Sequence, residues 1–109
     1  MRRGDVVTVA AGSGFGGKPR PAVVIQSDQF ETVPTVTLCL FTTDRTDVPV
    51  IRVAVEPNAS NGLRERCSLM VDKLIAVPRQ KVGRHVGHLS PLEMANLDRA
   101  LLVFLGLAG

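Results

Sequence analysis

At 109 residues the chain has room for one hydrophobic core, and we expect a single domain over residues 1–109. Its 45% of hydrophobic residues excludes a disordered tail, and four Phe without Trp or Tyr argues against a module that holds single strands mainly by base stacking. Thirteen Lys and Arg against ten Asp and Glu give a net charge of +3, which is compatible with a polyanionic partner held through its backbone.

Nothing in the sequence predicts a leader peptide or a membrane span. The two arginines near the start are followed by Gly4 and Asp5 instead of an apolar run, and the C-terminal LLVFLGLAG is shorter than the ~18 residues of a spanning helix. Cys39 and Cys67 lie in or beside apolar runs, where cysteine acts as a small hydrophobic residue, so we expect no disulfide. We therefore expect a soluble, cytoplasmic protein with no membrane partner.

Six segments have the composition of β-strands and are separated by turn-forming residues. They are residues 5–10, 22–26, 35–43, 50–55, 68–77 and 81–89. The continuous apolar run AVVIQ at 22–26 indicates a strand buried on both faces, and the third and fourth segments are expected to pair as a hairpin with a long connection. The pattern predicts a mainly β (α+β) domain built on an antiparallel, strongly curved sheet.

The hydrophobic period becomes helical from Pro91 onward. Apolar residues recur at positions 92, 95, 97, 101, 104 and 105. Ser90 can cap this helix, Pro91 suits its first position, and Glu93 completes the capping-box spelling S-x-x-E. We expect a single C-terminal helix that covers the open face of the sheet.

The stretch GSGFGGKPRP at residues 12–21 spells most of a phosphate-binding P-loop, G-x-x-x-x-G-K. Pro19 replaces the required hydroxyl and lacks an N–H group, and a strand follows instead of a helix, so the stretch is not predicted to bind nucleotide. The neighbouring Arg20 lies between two prolines that stiffen its backbone, which would aim its guanidinium. A solvated arginine on a flexible hairpin is the alternative interpretation.

His85 and His88 have the spacing H-x-x-H, which suggests either a metal site or acid–base catalysis. Residues three apart on a strand point to opposite faces, so both side chains could not bind one ion there. We expect two solvated histidines and no metal.

The blocks RGDVVTV, RPAVVIQSD and NGLRERCSLMVDKLIAV, with the glycine-rich loop, Thr42-Thr43 and the closing helix, resemble the MazF/PemK endoribonuclease toxins of bacterial type II toxin–antitoxin systems. The resemblance covers nearly the whole chain. It implies an SH3-like curved antiparallel β-barrel with a C-terminal helix (CcdB/MazF-like) that acts as a homodimer. It also implies cleavage of single-stranded mRNA without metal or cofactor, to a 2′,3′-cyclic phosphate and a 5′-hydroxyl, and inhibition by a cognate MazE-like antitoxin.

The resemblance places the catalytic arginine of the family on Arg20 and its catalytic threonine on Thr42. A guanidinium stays charged and suits a phosphate clamp, and a threonine hydroxyl can donate to a phosphate oxygen. Asp72 aligns with an acidic position that acts as general base in some members, which makes it the candidate for the 2′-hydroxyl proton. A surface ion pair or a turn is the alternative for Asp72 and its neighbour Lys73.

The resemblance also suggests residues that bind RNA. The family's gating loop falls on residues 13–18, where Ser13, Phe15 and Lys18 are the candidates. Lys73 stands where many members have a base-contacting glutamine, so the cleavage sequence is not implied by the resemblance.

Two other functions fit parts of the pattern. A CcdB-like toxin of the same fold would bind DNA gyrase without catalysis, but such toxins share a C-terminal Trp-Gly-Ile, whereas this chain ends Leu107-Ala108-Gly109. A non-catalytic SH3-like nucleic-acid-binding module would be favoured if Arg20 and Thr42 lay far apart in the fold.

Overall fold

The computed structural model describes residues 1–10, 18–44 and 51–108. The strands are β1 (Asp5–Val9), β2 (Arg20–Val24), β3 (Thr35–Thr42), β4 (Arg52–Val55), β5 (Cys67–Pro78) and β6 (Val82–His88). One α-helix, α1, spans Pro91–Phe104, and short 3-10 turns lie at Asp28–Phe30 and Arg79–Lys81. In the ranges that the structure describes, no helix is long and apolar enough to cross a membrane.

The six strands form one antiparallel sheet in the order β4-β5-β3-β2-β1-β6. This confirms the predicted curved six-stranded architecture with a C-terminal helix. Over the described ranges, edge strands β4 and β6 form no ladder with each other, so the sheet is barrel-like but open.

The predicted hairpin between the third and fourth strands is wrong, because β5 lies between β3 and β4. β5 is twelve residues long, and it pairs along β3 on one side and with the four residues of β4 on the other. Strand composition is a local property, whereas the choice of partner depends on packing between distant segments.

Apolar side chains pack on both faces of the sheet. Val6 belongs to one buried cluster and Val7 to the other, as the alternation of a strand requires. β2 contributes to both clusters, with Ala22, Val23 and Val24 between 0% and 3% exposed, which confirms the predicted burial of its two faces. The central strands therefore form a rigid base for the side chains at their ends.

Helix α1 covers one of these clusters and begins as predicted. The Ser90 hydroxyl accepts a hydrogen bond from the Glu93 N–H, and the Glu93 carboxylate accepts one from the Ser90 N–H, with Pro91 at the first turn. Leu97 is fully buried and Leu101 is 8% exposed, both against the cluster that contains Val6. The helix contacts β4 and β5.

The turn over residues 56–62, which follows β4, is organised by the buried amide of Asn61. Its Oδ1 accepts from the backbone N–H groups of Asn58 and Leu63, at 3.1 and 3.0 Å. Its Nδ2 donates to the Glu56 carbonyl at 2.8 Å and to a Glu93 carboxylate oxygen at 3.4 Å. The turn is thereby bonded to the start of α1.

The same turn lies directly on β6. The His88 N–H donates to the Ser60 carbonyl at 2.9 Å. A Cβ on Gly87 would lie 2.3 Å from that carbonyl oxygen, so only glycine permits this approach. The end of edge strand β4 is thus joined, through the 56–62 turn, to the opposite edge strand.

Candidate active site

The ends of β2, β3 and β5 meet at a groove of about 240 Å³. Its lining residues are Arg20, Pro21, Phe41, Thr42, Thr43, Cys67, Met70 and Lys73. Three residues singled out in the sequence, Arg20, Thr42 and Lys73, therefore come together although they lie up to 53 positions apart. Because Arg20 and Thr42 line one groove, the condition that would favour a non-catalytic module is not met.

Strand pairing explains how Arg20 and Thr42 meet. Ala22 pairs with Leu40 across the antiparallel β2–β3 ladder, so two further residues along this register lead to Arg20 on one strand and Thr42 on the other. On its other side Arg20 pairs with Val9 of β1, which holds its backbone in the sheet. The exposed side chain then extends from a fixed strand end between two prolines.

Thr42 ends β3, and its hydroxyl has a defined orientation. Its Oγ1 accepts a hydrogen bond from the Asp44 backbone N–H at 3.1 Å. A hydroxyl that accepts through its oxygen still has one proton to donate. Thr42 can therefore donate to an oxygen of a ligand in the groove.

Asp72 and Lys73 lie on an irregular part of β5. Between the β3–β5 pairs Cys39–Leu74 and Phe41–Leu69, β5 advances five residues while β3 advances two. In the bulge at residues 70–73, Lys73 is exposed and lines the groove. Asp72 is outside the set of groove-lining residues, and its carboxylate forms an ion pair with Arg52 of β4. The predicted role of Asp72 as the base stays a prediction.

The predicted RNA-binding residues of the glycine-rich loop are placed only in part. Lys18 is exposed, two residues before Arg20. Ser13 and Phe15 lie outside the described residues, so their predicted contacts stay predictions.

Sequence reasoning missed the apolar and thiol part of the groove lining, which includes Phe41, Cys67 and Met70. Burial, with a smaller effect from Glu65, raises the pKa of the Cys67 thiol, and its Sγ donates to the Glu65 carbonyl at 3.3 Å. Burial raises the pKa of the Cys39 thiol to about 12. Both groups therefore favour the protonated form, which is a poor nucleophile, and both are free thiols.

The two histidines lie on β6, outside this groove lining. The Nε2 atom of His85 is 3.5 Å from a carboxylate oxygen of Asp5, and His88 pairs with Asp5 across the ladder. Among residues 1–10, 18–44 and 51–108, no three potential metal ligands form a cluster.

Comparison with known proteins agrees with these observations. The family model of the PemK-like, MazF-like toxins of type II toxin–antitoxin systems matches residues 2–105. A protein of Mycolicibacterium smegmatis, named probable endoribonuclease MazF, is 49% identical over 109 residues, covering the full length of both chains. The predicted endoribonuclease class agrees with that name.

Solved structures share the fold. A mycobacterial endoribonuclease, solved in complex with its cognate antitoxin, superposes with a TM-score of 0.83 at 21% identity, over 100% of this chain and 98% of the other. A MazE-MazF structure from Deinococcus radiodurans gives a TM-score of 0.79 at 18% identity, over 97% and 96% of the two chains. The predicted resemblance is confirmed: the chain belongs to the PemK-like, MazF-like family of type II toxin–antitoxin toxins.

Proposed function

We propose that the chain is an endoribonuclease that cleaves single-stranded mRNA in the cytoplasm, without a metal, at selected sequences. In this reaction the 2′-oxygen bonds to phosphorus, the bond from phosphorus to the 5′-oxygen breaks, and a 2′,3′-cyclic phosphate and a 5′-hydroxyl result. The observation that carries the proposal is the single groove lined by Arg20 and Thr42 in a chain of this family. The name of the full-length relative supports the same activity.

Arg20 and Thr42 supply stabilisation of charge. The phosphorane formed by 2′-hydroxyl attack carries additional negative charge on its nonbridging oxygens. The Arg20 guanidinium is permanently cationic and can donate two parallel hydrogen bonds to them. The Thr42 hydroxyl donates a further hydrogen bond to these oxygens. Donors that are fixed before the reaction stabilise the transition state without a reorganisation cost.

Two proton transfers complete the reaction. A base takes the proton of the 2′-hydroxyl, and an acid gives one to the leaving 5′-oxygen. We propose Asp72 as the acceptor on the resemblance to the family; its carboxylate is 26% exposed and pairs with Arg52 beside the groove-lining Lys73. The Lys73 ammonium, with Lys18, supplies positive charge for the RNA backbone.

The test is cleavage of a long single-stranded RNA in EDTA, with the ends mapped chemically. We expect cyclic phosphate and 5′-hydroxyl ends, and a loss of kcat/KM of at least about a hundredfold in Arg20→Ala, as for removal of one oxyanion donor. Arg84→Ala is the matched control, because Arg84 is exposed on β6 outside the groove lining. Asp72→Asn should lower kcat.

Intact RNA with the wild-type chain would contradict the proposal. So would cleavage that is equally fast in Arg20→Ala, or that requires a divalent cation. Full-length RNA bound without cleavage would instead support the non-catalytic module.

We further propose a homodimer that a cognate MazE-like antitoxin inhibits. An acidic, extended antitoxin segment would complement the cationic groove lined by Arg20 and Lys73. The apolar side chains exposed near the end of α1 supply a surface for the second copy. These are Leu102, Val103, Phe104, Leu105 and Leu107.

A further inference from the structure

One wall of the groove is the bulge at residues 70–73, which contributes both Met70 and Lys73. A bulge leaves part of its strand without ladder hydrogen bonds. The position of Lys73 over the groove therefore depends on what else holds these four residues.

Besides the pairing of Met70 with Arg52 in the β4–β5 ladder, three hydrogen bonds hold the bulge, and each involves a different residue of it. The Cys39 thiol donates to the Met70 carbonyl at 3.4 Å, and the Val71 N–H donates to the Ile51 carbonyl at 3.1 Å. Both fix the first half of the bulge. The second half is held by the Arg52 guanidinium, which donates to the Asp72 carboxylate.

Arg52 can hold the second half of the bulge in place because other contacts fix the position of Arg52. Its Nη1 also donates to the Ile51 carbonyl at 3.1 Å, and its backbone belongs to the β4–β5 ladder. The side chains of Arg52 and Asp72 are 20% and 26% exposed, so the pair is less solvated than an ordinary surface pair. Charge-assisted contacts with reduced solvation are stronger than exposed ones.

Arg52 does not line the groove. It faces a separate depression between β4 and α1, whose lining includes Asn96 and Arg99. The Arg52 side chain therefore acts on a ligand in the groove indirectly, through Asp72 and the bulge.

We propose that Arg52 is a positioning residue for RNA binding: by holding Asp72 it fixes the bulge and directs Lys73 over the groove. The proposal rests on the proposed function, since it assigns the groove to RNA. Displacement of Lys73 weakens substrate binding, because Lys73 is proposed to contact the RNA away from the reacting atoms, whereas a change in kcat would report on Asp72 as the proposed base.

The experiment compares Arg52→Met, Lys73→Met and the double variant on the RNA whose cleavage site has been mapped. Both Met side chains preserve length and remove the charge. We expect Arg52→Met to raise KM, and the Kd measured by fluorescence anisotropy, about tenfold, as for the loss of one charge-assisted hydrogen bond. The double variant should be no weaker than Lys73→Met, because both changes remove the same contact.

Two further variants separate positioning from general stability. Arg52→Lys retains a cation that can reach Asp72 and should restore part of the affinity, and it replaces Arg52→Met if that variant does not fold. Arg2→Met is the matched control, since it removes an exposed Arg–Asp pair with Asp28. It should leave KM and Kd unchanged.

Arg52→Met with a lower melting temperature but unchanged KM and Kd would overturn the proposal and show a purely structural role. Fully additive effects of Arg52→Met and Lys73→Met would also overturn it. If the long single-stranded RNA is bound but not cleaved, only the proposed function is refuted, because the Kd comparison on that same RNA still tests Arg52. A chain that neither cleaves nor binds RNA refutes both.

Discussion

Asn61 shows how much one side chain can organise. Its side chain is fully buried, with 0% exposure, and its amide forms hydrogen bonds through both the oxygen and the nitrogen. A buried polar group stabilises a fold only while its partners are present, since an unpaired one costs about 1–3 kcal/mol. The 56–62 turn therefore depends on the amide itself and not only on the volume of the side chain.

We predict that Asn61→Asp lowers the free energy of unfolding by about 3 kcal/mol. The new oxygen would replace the donor that faces the Glu56 carbonyl and the Glu93 carboxylate, while the shape stays the same. Urea denaturation measures the change. Asn96→Asp, at an exposed position of α1, is the control and should remain within about 0.5 kcal/mol of wild type. Equal midpoints for Asn61→Asp and wild type would contradict this account.

At the scale of elements, local sequence determines where α1 begins, and tertiary packing determines how it is oriented on the sheet. Its start follows from three neighbouring residues, Ser90, Pro91 and Glu93, which is why it could be read from the sequence. Its orientation follows from Leu97 and Leu101, which are buried against the sheet, while Leu92 is 72% exposed.

We predict that Leu97→Ala lowers the free energy of unfolding by about 2–5 kcal/mol, through lost burial and a cavity. Leu92→Ala makes the same change in the same helix at an exposed position, so it should stay within about 0.5 kcal/mol of wild type. Thermal or urea unfolding distinguishes them. A similar loss in both variants would show that α1 does not pack as described.

The strands divide into what local pattern predicts and what it does not. The positions of the strands and the burial of β2 can be predicted from the sequence, because apolar runs indicate buried strands and turn-forming residues indicate where strands end. The place of β5 between β3 and β4 was not, since it results from contacts between segments distant in sequence. The sequence does not predict the bulge at residues 70–73, because its polar pair Asp72-Lys73 resembles an ordinary turn.

At the scale of the whole molecule, the groove combines residues predicted by resemblance with residues that only the fold could place. The resemblance singles out Arg20, Thr42 and Lys73, and the fold brings them to one groove. The sequence around Phe41, Cys67 and Met70 contains no motif that would indicate a ligand-binding site. Arg52, the partner of Asp72, is one of thirteen Lys and Arg residues, and only the β4–β5 pairing shows that Arg52 lies close to Asp72.

The exposed apolar end of α1 leads to a prediction about assembly. We expect light scattering to give a dimer at micromolar concentration and Leu102→Glu to shift it toward monomer, because Leu102 is 44% exposed among other apolar side chains. Leu92→Glu, at the other end of the helix, should remain dimeric. A monomeric wild-type chain would contradict the proposed homodimer.

The 56–62 turn connects the two edges of the open sheet through the contact of Ser60 with Gly87 and His88, which we call the seam. The two edges of the sheet form no ladder in the described ranges, yet Ser60 and Gly87 bring them into contact. Because this contact joins the two edges of an otherwise open sheet, we expect separation of the edges to begin there. In hydrogen exchange, the amides of Gly62 and His88, which bond within the turn and across the seam respectively, should then lose protection together and before those of β2 and β3.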